Sequence, residues 1–359
     1  MTLRIAFFGS SLVSAYWNGA ATYYRGMIRA LAAQGHRVTF YEPDAFGRQA
    51  HRDMPDPDWA TVRVYEPNEE SAGRELRHAA GADIVVKASG VGVHDEFLER
   101  EVLSLQSPNT RVVFWDVDAP ATLDRVRRVP SDPFKHLVPD YDMILTYGGG
   151  PAVVEAYRAL GARDCVPIYN ALDPETHHPV APVGRFTGDL GFLGNRMPDR
   201  EERVQEFFFR AAENAPKHRF LLGGSGWDGL GRPNVKILGH VYTRDHNAFN
   251  STPRAVLNIN RDCMARVGYS PPTRVFEAAG AGACLITDAW EGIEQFLEPE
   301  VEVLVARNGA EVAQLVRELD DDRARAIGEA ARRRVLAEHT YGDRAKQVES
   351  LLLGVEAAA

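Results

Sequence analysis

Short apolar runs recur along the chain, each followed by a turn and then by a stretch with helical spacing. Ile5-Ala6-Phe7-Phe8 is the first such run, and it stops at Gly9-Ser10-Ser11. A loop through Tyr16-Trp17-Asn18-Gly19 follows, and the spacing predicts a helix over about 20–34. Gly35-His36-Arg37 closes that helix, and Val38-Thr39-Phe40-Tyr41 is a second strand. A strand–helix–strand opening implies a parallel sheet. The alternation continues with strands at 62–65, 83–87, 111–115 and 141–147, and with helices near 71–80, 94–105 and 151–160.

The pattern then breaks. Tyr169 to Pro179 is crowded with turn residues, with Pro167 and Pro182 on either side. Beyond it the alternation restarts. Strands are expected at 189–193, 220–222, 235–239, 255–259, 284–287 and 303–305, a helix over about 200–214, and helices to the C-terminus. The predicted organisation is an α/β domain over 1–172, a second over 173–338, and a C-terminal helix over 339–359 packing back on the first. Two such halves direct the search for a site to the cleft between them, where loops at the C-terminal ends of strands converge.

Composition narrows the function. The chain has 359 residues and a net charge of −9, which argues against wholesale nucleic-acid binding. Runs such as Arg332-Arg333-Arg334 read as solvated helix faces. Cys165, Cys263 and Cys284 are far apart and lack metal-ligand spacing. With no basic leader before Leu3 and no apolar run of membrane-spanning length, the expectation is a cytoplasmic protein.

The chemistry concentrates in Ser270 to Asp288. Ser270 reads as a helix cap, Pro271 as the first helical residue, and Thr273 to Ala279 as the helix body. A helix N-terminus presents free N–H groups and partial positive charge, so it attracts phosphate. Arg274 in the first turn adds a cation, and Glu277 one turn on is placed to accept hydrogen bonds from sugar hydroxyls. A plain helix–strand unit with a surface Arg and Glu reads the same stretch equally well. At the other end of the chain, Ser11, Asn18 and Gly19 lie in a loop after the first strand, a position that commonly faces a ligand. The glycines there do not spell G-x-G-x-x-G, which weakens a dinucleotide oxidoreductase reading. Tyr16, Trp17, Tyr23 and Tyr24 are aromatic groups for stacking on an acceptor, or else core and rim residues.

These segments resemble GT-B glycosyltransferases. Asn170-Ala171-Leu172-Asp173 through Pro179 resembles their inter-domain segment, and Phe220 to Gly226 with Val235 to Val241 resembles strand-loop pairs of their donor-binding half. Arg274 to Gly282 resembles their signature helix. Ser11 to Arg25, Trp115 to Pro120 and Ser270 to Asp288 are more specifically similar to the CgeB-like (spore maturation) glycosyltransferases. The resemblance implies a retaining, metal-independent transferase with no cofactor beyond its nucleotide-sugar donor. Its acceptor, whether small molecule, glycan or protein, is unidentified.

The resemblance also implies site roles. Glu277 takes the place of the second Glu of a Glu-x7-Glu motif, which binds ribose, while the first Glu falls at Tyr269, a departure from the pattern. Arg196, assisted by Arg200, matches the arginine that binds diphosphate. Gly224 lies in a donor-side loop, and Gly239, His240 and Val241 match the loop that holds the base. Ser270, Thr273 and Arg274 complete the donor set.

Asp116-Val117-Asp118 also spells the D-x-D of metal-dependent GT-A enzymes, where carboxylates hold a divalent ion. A second complete α/β half favours GT-B. There Asp116 and Asp118 become candidates for a general base or for orienting the acceptor, with helix capping as the plain alternative. A nucleotide-sugar epimerase or hydrolase, and a non-catalytic nucleotide-sugar-binding protein, remain alternatives; the tyrosine at 269 keeps the last alive.

Overall fold

The computed structural model describes residues 1–354. It comprises two compact units: Met1–Asn170 with the helix Tyr341–Leu353, and Ala171–Thr340. Residues 355–359 of the expected C-terminal helix lie outside the described residues.

The first unit holds a seven-stranded sheet in the order β3-β2-β1-β4-β5-β6-β7. Its strands are β1 Arg4–Phe8, β2 Arg37–Pro43, β3 Thr61–Tyr65, β4 Ile84–Ala88, β5 Arg111–Asp116, β6 Met143–Thr146 and β7 Cys165–Pro167. All neighbours are parallel. Helices on both faces explain why β4 is buried at every position. An aromatic core fixes the centre: Phe7 stacks on Phe40 at 5.3 Å and meets Tyr24 edge-on at 5.4 Å. The Tyr23 hydroxyl donates to the Ile168 carbonyl (2.7 Å) and accepts from Trp115 Nε1 (3.1 Å). Helix Ala21–Ala33 packs against helix Tyr341–Leu353, with Tyr23 and Tyr341 edge to face at 6.0 Å.

The second unit has six parallel strands in the order β10-β9-β8-β11-β12-β13. They are β8 Leu190–Leu193, β9 Phe220–Gly223, β10 Val235–Gly239, β11 Ala255–Asn258, β12 Leu285–Asp288 and β13 Leu304–Ala306. Counted within each unit, both sheets run 3-2-1-4-5-6, the Rossmann order, and the first adds a seventh strand. The sequence pattern anticipates these strands except β7, whose three residues end in a proline and carry little periodic signal.

The helix expected over 200–214 contains a π turn at Gln205–Phe209. Successive residues of an α-helix point about 100° apart, so three consecutive phenylalanines do not share one face. Phe207, Phe208 and Phe209 are nevertheless all buried: Phe208 packs near Phe192 and Phe220, and Phe209 near Trp227.

Gly328 marks a close approach. It lies in helix Asp321–Glu338, and a Cβ there would sit 2.2 Å from the Gly282 carbonyl oxygen. Alanine gains about 1 kcal/mol of helix propensity, but overpacking against fixed backbone costs about 1–3 kcal/mol. Gly328→Ala is therefore expected to lose up to roughly 2 kcal/mol in urea unfolding. A more stable variant would mean that this contact does not constrain the helix.

Candidate functional site

In the second unit, the loops after β8, β9 and β10 are tied into one surface. Gly194 N–H donates to Gly223 O at 2.9 Å, Gly224 N–H to Gly239 O at 2.7 Å, and Ser225 N–H to Asn195 Oδ1 at 3.0 Å. Gly224 has φ +123°, and a Cβ there would lie 2.2 Å from Gly194 O, so only glycine fits. Next to this loop, Val241 is buried, while His240 is exposed and meets Tyr242 edge-on at 4.6 Å.

The helix of the 270s spans Thr273–Gly280 and begins later than the sequence suggests. Pro272, not Ser270, occupies the capping position, and the Ser270 hydroxyl donates to Gly268 O at 2.9 Å. The cause is the Pro271-Pro272 pair: a residue before proline is driven out of the α region, so Pro271 cannot begin the helix.

Arg274 lies in the first turn of this helix, and Arg200 is near enough to feel its charge. Arg200 is half-buried, and its Nη2 donates to Asn195 O at 2.9 Å. Burial lowers its pKa, repulsion from Arg274 and Arg261 adds to this, and Asp199 opposes it. Its Nε is buried without a hydrogen-bond partner, as is Asn250 Nδ2. Arg274 Nη1 reaches Glu277 Oε2 at 3.2 Å and Asn250 Oδ1 at 3.5 Å. Burial alone would raise the Glu277 carboxyl, but Arg274, His177, His246 and the Thr273 side chain together hold it below the usual range. Crowded cations with orphaned donors, at a helix N-terminus, form an arrangement that an anion completes.

Arg196 lies apart from this group. It is exposed and paired with Glu201 at 2.5 Å. Arg274 and Thr273 thus engage Glu277, Arg200 acts on Arg274 through charge, and Arg196 is exposed and turned to Glu201. Tyr269 has φ +45°; its N–H donates to Glu291 O at 2.6 Å, and its hydroxyl faces Glu291 Oε1 at 3.5 Å. Sequence reading missed His177, His246 and Asn250 around Glu277. His177 Nε2 is 3.8 Å from Glu277 Oε1. Burial, then repulsion from Arg274, lowers the His246 pKa to about 4.

In the first unit, Ser11 and Asn18 are loop braces. Ser11 Oγ donates to Glu42 Oε1 at 2.9 Å; Asn18 Nδ2 donates to Ser11 O and Ser14 O at 2.8 and 3.0 Å. The exposed residues of that loop are Ala15, Tyr16, Trp17 and Gly19. Tyr16 stacks on His51 at 4.0 Å, and Trp17, at φ +46°, is 78% exposed. Tyr23 and Tyr24 are core residues.

Asp116 is fully buried at the end of β5. It accepts from Ser89 Oγ (2.7 Å), Asp118 N (3.0 Å), Thr122 Oγ1 (3.0 Å) and Tyr157 Oη (2.5 Å). Three of these donors share Oδ1 and the Tyr157 hydroxyl takes Oδ2, so the carboxylate is held from several sides. Burial raises its pKa, with the hydrogen bonds working against that rise. The chain turns at Val117 instead of staying extended, and Asp118 stands half-buried at the capping position of helix Ala119–Arg128. The two carboxylates therefore do not face outward as a pair. A groove of about 960 Å³ on this unit, lined in part by Arg4, Arg37, Trp59 and Thr61, lies at the N-terminal starts of β1–β3, away from these loops.

Residues 200–350 match a family model described as glycosyl transferase-like. No curated protein matches the chain. Among solved structures, sucrose-phosphate synthase from Thermosynechococcus elongatus superposes with a TM-score of 0.71 at 15% identity, over 99% of this chain and 100% of that one. The fold is GT-B. Anabaena HepE, solved with UDP and glucose, gives 0.67 at 14% identity over 98% and 100%. An alpha-glucosyltransferase solved with UDP and a 13-mer DNA containing an HMU base gives 0.67 at 10% identity over 98% and 100%. Among the described residues, no helix of this GT-B chain is long and apolar enough to cross a membrane.

Proposed function

We propose that this chain is a glycosyltransferase that moves a sugar from a nucleoside-diphosphate donor to an acceptor. The observation that carries the reading is the Arg274–Glu277 pair at the start of helix Thr273–Gly280, with Arg200, whose buried Nε has no hydrogen-bond partner, near enough to feel the Arg274 charge. As the glycosidic bond to the leaving phosphate breaks, negative charge grows on the diphosphate. Arg200, Arg274 and the helix N–H groups stabilise that charge without a metal ion. Glu277, kept ionised, accepts from the ribose hydroxyls, and the Gly224 and His240-Val241 loops bound the nucleotide. UDP in the HepE and alpha-glucosyltransferase structures makes a uridine nucleotide the first donor to test.

On the first unit, exposed Trp17 and Tyr16 offer a stacking surface for an acceptor, and Asp118 is the better placed of the two aspartates to meet one, because Asp116 is fully buried and Asp118 only half-buried. Retention of configuration and kinship with the CgeB-like enzymes rest on the sequence resemblance; the anomeric configuration of the product tests the first.

Glu277→Gln is expected to weaken nucleotide binding about tenfold while the protein stays folded, a loss of about 1.4 kcal/mol. Calorimetric titration with UDP and circular dichroism check both halves. Unchanged affinity would remove Glu277 from the donor site. Tyr269 in place of an acid favours a second reading, a binding protein without turnover. Release of UDP from UDP-sugar in the presence of acceptor mixtures separates the two.

A further inference from the structure

We propose that His177, His246 and Glu277 form a site for a late first-row divalent cation of the Zn²⁺ type, and that this ion and the nucleotide sugar exclude each other. The exclusion rests on the role of Glu277 proposed above; the metal site does not. The three residues come from separate elements: the segment before β8, helix His246–Ser251 and helix Thr273–Gly280. One donor atom from each lies within 4.8 Å of the others, and His177 Nε2 is 3.8 Å from Glu277 Oε1. Donors bound to tetrahedral zinc at about 2.0–2.2 Å stand roughly 3.3–3.6 Å apart, so a small side-chain adjustment closes the site.

The surrounding bonds orient the imidazoles. His246 Nε2 faces the Val241 carbonyl at 3.3 Å. A carbonyl only accepts, so Nε2 carries the hydrogen and Nδ1 presents a lone pair. His177 Nδ1 engages Thr176 Oγ1 at 3.0 Å, which leaves Nε2 towards Glu277. Such outer partners are what hold metal-binding imidazoles in place. Glu277 divides its oxygens: Oε2 meets Arg274, while Oε1 faces His177.

The chemistry selects the ion. Two imidazoles and one carboxylate suit Zn²⁺, Ni²⁺ or Cu²⁺, whereas Mg²⁺ and Ca²⁺ require oxygen-rich shells. The Arg274 guanidinium repels a dication, so the site is weaker than a structural zinc centre. A metal on Glu277 removes the carboxylate from the ribose, and a bound nucleotide removes it from the metal. The site acts as a brake on a reaction that itself needs no metal.

The test is calorimetric titration of Zn²⁺ into the full chain in a non-chelating buffer, for the natural protein, His177→Ala and His246→Ala, with circular dichroism to confirm folding. His246 is half-buried, which makes its variant the safer of the two for folding. One Zn²⁺ site is expected, weakened at least tenfold in each variant, and no heat from Mg²⁺. Equal Zn²⁺ affinity in the variants, or Mg²⁺ binding as tight as Zn²⁺, overturns the site. Saturating UDP is expected to weaken Zn²⁺ at least tenfold. Zn²⁺ affinity unchanged while UDP gives its own binding heat overturns the exclusion. A lack of UDP heat sinks the donor reading and the exclusion together, and leaves the metal site to be decided by the Zn²⁺ titrations.

Discussion

Arg274→Ala should lower affinity for a nucleoside diphosphate about 100-fold, a loss of about 2.7 kcal/mol. The size follows from two losses at once. The guanidinium supplies charge-assisted hydrogen bonds to phosphate, each worth more than a neutral bond. It is also the partner of Glu277 at 3.2 Å, so its removal loosens the carboxylate assigned to ribose. Arg200→Ala should act in the same direction, because its Nε is buried without a protein partner. Arg196→Ala should change affinity less than about threefold, since Arg196 is exposed and engaged with Glu201 and such contacts contribute little. Titration of UDP into the three variants checks the order. Arg196→Ala costing more than Arg274→Ala would reverse the assignment.

Asp95→Ala should destabilise the first unit by about 3–5 kcal/mol, the loss expected when one partner of a buried ion pair is removed. Lys87 is fully buried on β4, and its Nζ donates to Asp95 Oδ1 at 2.7 Å and to Ala88 O at 2.7 Å. Asp95 also accepts from Val91 N and Gly92 N, which fixes the turn into helix Asp95–Glu101. Without the carboxylate, the buried ammonium keeps one hydrogen-bonding carbonyl, the Phe114 ring face at 5.9 Å and the longer-range charge of Glu99. Lys87→Met in the Asp95→Ala background should recover part of the loss, because no unpaired charge remains. Burial pushes the Asp95 carboxyl up, but the Lys87 charge and the hydrogen bonds outweigh it and hold the pKa below the ordinary value. A lowered folded-state pKa means the stabilisation is present above about pH 4, the unfolded value, and is lost as pH falls through the folded one. Acid unfolding of Asp95→Ala should lack that component. Equal acid midpoints, or a loss under about 1 kcal/mol, would show that Lys87 finds compensation elsewhere.

Apart from β7, the strands were legible as compact apolar runs, several of them closed by glycine, as at Ile5 to Phe8 before Gly9 and at Phe220 to Leu222 before Gly223. The π turn at Gln205–Phe209 was not, because it answers a packing demand that Phe207, Phe208 and Phe209 meet only in three dimensions. The late start of the 270s helix was readable in principle, since a proline before a proline resists the α region. Asp116-Val117-Asp118 shows the limit of a short motif: the letters cannot reveal that Ser89, Thr122 and Tyr157, from other segments, consume one of the carboxylates. Arg196 and Arg200 differ for a similar reason. Both lie between β8 and helix Glu201–Val204, and what separates them is burial, with Arg196 exposed and Arg200 half-buried within reach of the Arg274 charge. His177 and His246 carried no usable spacing, because elements distant in sequence deliver them to Glu277.

The most direct test of the account is calorimetric titration of UDP and other nucleoside diphosphates into the natural chain, with and without EDTA, alongside Arg274→Ala. One saturable site, unchanged by EDTA and weakened about 100-fold in the variant, is the predicted result. Binding that requires a metal ion, equal affinity in Arg274→Ala, or no binding of any nucleotide would contradict it.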